Sequence, residues 1–226
     1  MDFLELAKRR RAIRRYQDRQ VDIADVDYVV EAGLYAPSAG GGQRSMICVL
    51  RGKELCERVG RMNRAGFEPG HVRAASVSRE QPSVIDDPAL KSGFYGAPTV
   101  CAIFGERGFA YRTADAYCCA ENMVLAATQR GLASNIVARG EETFVGEEGQ
   151  ALLREWGVPE DYEAVCFVLL GHIDGDWPQS KPRNCDRVRV VGEDKRAASR
   201  VRNEGARFQN FPSRGARKRP RARHAP

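Results

Sequence analysis

Two clusters of basic residues, Arg10-Arg11-Ala12-Ile13-Arg14 near the start and Lys181-Pro182-Arg183 far downstream, are the side chains best equipped to hold an anion. Planar guanidinium groups make charge-assisted, often bidentate bonds to phosphate oxygens, so Arg10, Arg11, Lys181 and Arg183 together could grip one phosphate. Between them, Ala36-Pro37-Ser38-Ala39-Gly40-Gly41-Gly42-Gln43 is a run almost without side chains. Its backbone amides can approach a ligand closely, and Ser38 and Gln43 can add hydrogen bonds. Other chemistries find little support. The three histidines, His71, His172 and His224, have no ligand spacing, which argues against a metal site. The seven cysteines lack Cys-x-x-Cys spacing and lie mostly in apolar segments. They read as reduced, mostly buried small hydrophobes, the adjacent Cys118 and Cys119 included.

These residues must be carried by ordered elements, and the apolar periodicity predicts where those lie. A short helix over Phe3 to Arg9 delivers the first basic cluster, and a second, with Val26, Val29, Val30 and Leu34 on one face, is stopped by Ala36-Pro37. The glycine-rich loop follows at once. Strands are expected at Met46 to Leu50, Thr99 to Phe104, Leu132 to Val137 and Ala164 to Leu170, and helices at Lys53 to Arg61, Thr113 to Arg130 and Glu147 to Trp156. Gly131 and Gly157 are placed to end the last two helices. Residues 60 to 92 read as a long irregular excursion of the kind that forms lids or binding loops. Helices alternating with strands predict an α/β or α+β sheet covered by helices.

The formal charge of +6 is unevenly spread. Residues 193 to 226 hold eleven basic against three acidic groups, leaving 25 basic and 27 acidic in residues 1 to 192. A basic core for nucleic acid is therefore not indicated, and any affinity for nucleic acid or an anionic membrane belongs to the basic tail. That division predicts one domain over 1–192 and a disordered extension over 193–226. No run of eighteen apolar residues and no secretory pattern is present, so the expected location is cytoplasmic.

The ordered motifs resemble the nitroreductase family of FMN-dependent oxidoreductases over about residues 3 to 190. The resemblance rests on Arg10-Arg11-Ala12-Ile13-Arg14 with Tyr16, on Ala36 to Gln43, on Ala97-Pro98, and on Ala120-Glu121-Asn122-Met123-Val124-Leu125-Ala126-Ala127. Gly131-Leu132-Ala133-Ser134, Val158-Pro159-Glu160-Asp161-Tyr162 and Leu170-Gly171-His172 complete the series in family order. It implies an α+β fold with a mainly antiparallel sheet, and an intertwined homodimer with two FMN molecules at its interface. The near-uniformly apolar helix from Thr113 to Arg130 suits such an interface.

The resemblance also assigns roles. Arg10, Arg11, Lys181 and Arg183 face the FMN phosphate, and Arg14 faces the pyrimidine edge, where a cation stabilises the charge that develops on reduction. The loop residues Pro37, Ser38, Ala39, Gly41 and Gln43 contact ribityl or ring atoms, and the backbone of Ile136, Val137, Ala138 and Arg139 runs along the flavin. Phe67, Phe94 and Tyr95 are candidates for its open face. The implied activity is transfer from NADH or NADPH to a nitroaromatic or quinone by a ping-pong cycle through flavin N5, with no protein acid, base or nucleophile. A flavin-binding or regulatory protein without turnover, and a reductive dehalogenase or flavin-modifying enzyme, are the alternatives. Ala12 stands where the family has serine, Gly41 where it has asparagine, Arg44-Ser45 where Pro-Trp is common and Asn135-Ile136 where Cys-Trp is common. The first two changes each remove a side-chain hydrogen bond worth about 1 kcal/mol, and the others reshape the walls of the site.

Overall fold

The computed structural model describes residues 1–67, 81–85, 87–184, 187–189 and 191. The chain divides into two units, Met1–Pro178 and Gln179–Pro226. Within the first, β-branched, aromatic and cysteine residues form four strands: β1 (Met46–Arg51), β2 (Thr99–Glu106), β3 (Ala133–Val137) and β4 (Tyr162–Gly171). They make one antiparallel sheet in the order β1-β2-β4-β3. Among the described residues six α-helices accompany them: α1 (Phe3–Arg9), α2 (Ile23–Leu34), α3 (Lys53–Ala65), α4 (Arg112–Gln129), α5 (Gly140–Thr143) and α6 (Glu147–Glu155).

The two-residue period of the strands divides the interior. Cys101, Ile103, Cys166, Val168 and Leu170 point to one face, where Val26 and Val29 of α2 and Ala116, Ala120, Met123 and Ala127 of α4 cover them. Val100, Ala102, Phe104, Phe167 and Leu169 point to the other, beneath Val59 of α3, Phe144 and Leu152. Phe94 stacks on Phe167 at 4.8 Å between ring centroids. Because both faces are covered, β2 and β4 are apolar along most of their length, without the polar alternation of a half-exposed strand.

Helix ends follow local chemistry. The Asp2 side chain accepts the Glu5 amide at 3.0 Å to start α1, and Lys8 and Arg9 occupy its last turn. Gly131 closes α4 with φ 74°, in the left-handed region expected of it.

The structure departs from the sequence reading in several places. The third helix continues to Ala65, because Asn63 and its neighbours extend the buried stripe begun by Cys56 and Val59, so the irregular excursion begins later than expected. The four-residue α5 carries too little periodicity to be predicted. The last strand starts at Tyr162, two residues early, and a register shift between Ile103 and Phe104 accommodates it. Cys118 is exposed on α4 whereas Cys119 is buried, since adjacent helical positions point about 100° apart. The expected extension over 193–226, most of the excursion (68–80) and Cys185 lie outside the described residues.

Candidate functional site

Where α1 ends, the chain becomes extended and runs along the free edge of β3. The Ile13 amide donates to the Ser134 carbonyl at 2.9 Å, Ala12 bridges Ser134, and Tyr16 bridges Ile173 beyond β4. This pairing fixes the basic cluster. Arg10 Nε is 3.9 Å from a Glu121 carboxylate oxygen. The Arg11 guanidinium is tied to the backbone, with Nη1 donating to the carbonyls of Lys8 (2.6 Å) and Arg10, and Nε to that of Pro178 at 3.2 Å. Arg14 is held by Gln81, whose side-chain oxygen accepts the Arg14 amide at 2.6 Å and whose carbonyl accepts Nη1 at 3.0 Å. Its guanidinium carbon lies 5.9 Å from the centroid of Tyr95. Arg14 Nε and Ser134 Oγ are buried with no hydrogen-bond partner.

At the far end of β3 the backbone of Ile136, Val137, Ala138 and Arg139 is set by a residue the sequence reading did not single out. Asn63 of α3 is wholly buried. Its amide nitrogen donates to the carbonyls of Ala138 (3.1 Å) and Arg139 (3.4 Å) and to Thr143 Oγ1 (2.9 Å), while its oxygen accepts Arg139 Nη2 at 2.8 Å. An amide lying on an apolar helical stripe with Cys56 and Val59 was the available signal. Arg139 has left-handed backbone geometry (φ 66°), and its guanidinium carbon lies 4.8 Å from the centroid of Phe67. Burial pushes the Arg139 pKa down, and neighbouring Arg64 acts in the same direction against the opposing influence of Tyr95 and Glu142.

The glycine-rich loop forms a second, separately organised group. Both carboxylate oxygens of the buried Asp115 accept the Ala39 amide, at 3.0 and 3.2 Å, and the Gln43 amide donates to Ser38 Oγ at 3.0 Å. Gly40, Gly41 and Gln43 all have positive φ, which lets the chain curl over a cavity of about 80 Å³ lined by Pro37, Ser38, Gln43, Asp115 and Cys119 among others. That lining contains none of Arg10, Arg11, Arg14 or Arg139. Lys181 and Arg183 belong to the second unit, where both are exposed. Of the three aromatic candidates, Phe94 is fully buried core, whereas Tyr95 and Phe67 lie beside Arg14 and Arg139. Gln81 and Asp115 were also missed. Asp115 carried a readable signal, an acid on the same helical face as Cys119 and Met123.

Among the described residues no cluster of histidine, cysteine and acidic side chains could hold a metal ion, and no helix is long and apolar enough to cross a membrane. The family model described as the nitroreductase family matches residues 7–172. A protein of Archaeoglobus fulgidus, provisionally named an NADH dehydrogenase/NAD(P)H nitroreductase, is 28% identical over 189 residues, 82% of this chain and 95% of that one. A nitroreductase of Bacteroides fragilis, solved with bound FMN, is 26% identical, with TM-score 0.69 over 85% of this chain and all of that one. One from Desulfitobacterium hafniense, also solved with FMN, shares the fold at 23% identity and TM-score 0.69, over 84% of this chain and 97% of that one. The antiparallel α+β architecture, the motif order from Arg10 to His172 and the match over most of the chain together place this protein in the nitroreductase family.

Proposed function

We propose that the chain is an FMN-dependent oxidoreductase that takes reducing equivalents from NADH or NADPH and delivers them to an electron-poor organic acceptor such as a nitroaromatic or quinone. Bound FMN would supply the electron-transfer chemistry, accepting hydride from the nicotinamide and reducing the acceptor. The observation that carries the reading is Arg14. It is anchored by Gln81 next to β3, yet keeps a buried Nε without a partner. A buried guanidinium nitrogen left unsatisfied costs free energy that a flavin carbonyl or ring nitrogen would recover.

The residues present fit the cofactor. Arg14 provides positive charge at the pyrimidine edge. The segment Ile136–Arg139, clamped by Asn63, offers backbone groups in a fixed geometry. Pro37, Ser38, Ala39, Gly41 and Gln43 present a surface nearly free of side chains. Arg10 and Arg11 would neutralise the phosphate, Arg11 exchanging backbone carbonyls for phosphate oxygens. Ala12 contributes through its backbone. The loop cavity shares no lining residue with Arg14 or Arg139, which supports a homodimer in which the loop of one copy completes the site of the other. Exposed Phe3, Leu4, Leu34 and Tyr35 on and beside α1 and α2 supply apolar surface for that contact.

Donor and acceptor using one site in turn require parallel double-reciprocal lines when each is varied against the other. Intersecting lines would contradict the shared site. Retained flavin with no acceptor-dependent oxidation of either nicotinamide would favour a flavin-binding protein without turnover, a reading supported by the side chains missing at Ala12 and Gly41.

A further inference from the structure

Among the described residues, the non-glycine positions with left-handed backbone are Gln43, Tyr95 and Arg139. Such conformations are costly for a side-chain-bearing residue and gather at ligand sites. Glycine would satisfy the turn at position 139 without strain, so the arginine side chain is not explained by the turn. Asn63 holds both the backbone and the guanidinium of Arg139, and the guanidinium carbon lies over the Phe67 ring. The same Phe67 ring also carries Arg64, whose guanidinium carbon is 5.3 Å from its centroid.

Two guanidinium groups therefore share one aromatic ring, and a third, that of Arg14, reaches Tyr95, which also lies within electrostatic range of Arg139. Among the described residues, the partners of these guanidinium groups are neutral apart from one carboxylate. The Arg64 Nε donates to the neutral carbonyl of Leu90 at 3.2 Å, Arg14 is bound to the neutral Gln81, and exposed Glu142 is the carboxylate acting on Arg139. Arg139 Nε is buried without a partner. The depression of the Arg139 pKa by burial has the sign expected of a charge that lacks compensation.

We propose that Arg139, assisted by Arg64, is the specificity determinant for an oxyanion carried by one of the two substrates, so that this protein selects a planar, anionic partner over its neutral counterpart. The inference rests on the flavin reading above, which places the end of β3 at the reaction site. A half-buried guanidinium already held by Asn63 and Phe67 loses little freedom on binding, and its unpaired Nε gives an oxyanion a charge-assisted bond that a neutral molecule cannot match. A bond of that kind corresponds to a preference of about 10-fold to 100-fold.

The test uses the full chain loaded with FMN, its Arg139→Gly variant, which keeps the left-handed turn, and its Arg64→Gln variant. Two ratios of kcat/KM are measured: 4-nitrobenzoate against 4-nitrobenzamide as acceptor, and NADH against the uncharged 1-benzyl-1,4-dihydronicotinamide as donor. Calorimetric titration with benzoate and benzamide gives a readout independent of turnover. The expected result is a ratio favouring the anion in the parent protein, falling about 10-fold in Arg139→Gly and less in Arg64→Gln, with benzoate affinity weakening in parallel. A fall in the acceptor ratio assigns the oxyanion to the acceptor, and a fall in the donor ratio assigns it to the donor phosphate. Both ratios unchanged in Arg139→Gly, with benzoate binding unaffected, would overturn the proposal. Arg139-dependent benzoate binding in a protein that turns over neither nitro compound would uphold the anion site and count against the flavin oxidoreductase reading.

Discussion

A small number of side chains set the site by holding main chain. Asn63 makes four hydrogen bonds without exposure to water, and Gly93 leaves room for it, since a Cβ there would lie 2.1 Å from Asn63 Oδ1. Replacing Asn63 with Ala strands the Ala138 carbonyl and the Arg139 guanidinium, while the Arg139 carbonyl keeps the Thr143 hydroxyl at 2.6 Å, and should lower unfolding stability by about 2–4 kcal/mol in urea titrations. The buried thiols make a separate prediction. Burial raises Cys56, Cys101 and Cys166 from 9.0 to about 12. The folded chain therefore keeps these protons while the unfolded chain releases them, so their contribution is intact below pH 9 and is lost as pH rises from 9 towards 12. Each thiol should cost about 1.4 kcal/mol per pH unit in that window, and the urea midpoint should fall between pH 8 and pH 10 with a shallower slope in Cys101→Ala. Arg14 and the glycine-rich loop stood out in the sequence as candidates, the one as part of a basic cluster and the other as a run almost without side chains. Gln81 and much of the role of Asn63 were not, because they bind backbone atoms of segments far away in the chain, and sequence carries no direct mark of such pairings.

At the scale of elements, periodicity located the longer helices and every strand among the described residues, because each must bury a continuous apolar face. Ends and short pieces escaped it. Pairing with β2 extends β4 to Tyr162, and α5 is too short to show a stripe. Contacts between helices were also invisible, although they decide where the loop after α2 sits. Gly33 is such a contact: a Cβ there would meet Met123 Cγ at 2.8 Å and Cys119 Sγ at 3.1 Å, so α2 approaches α4 as closely as it does only because position 33 has no side chain. Gly33→Val should push the helices apart, lowering the melting temperature by a few degrees, with a cost of about 1–3 kcal/mol, and should weaken FMN retention through the displaced loop. An unchanged melting temperature would mean that the helix pair yields more easily than its close fit implies.

For the molecule as a whole, family membership and fold followed from motif order, whereas the proposed assembly of the site calls for a second copy. Light scattering should return twice the 25.1 kDa chain mass, and a monomer would leave the loop cavity and the β3 edge as unrelated surfaces. Removal of residues 193–226 takes away the +8 segment and should abolish retention on a polyanion column while leaving flavin binding intact. The central claim, that these residues build a working flavin site, is tested most directly by the visible spectrum of the protein after FMN is added and the excess removed, followed anaerobically by NADH and then NADPH. Retained flavin bands that bleach with at least one donor are the expected result. Loss of all flavin, or bands that persist with both donors, would contradict it.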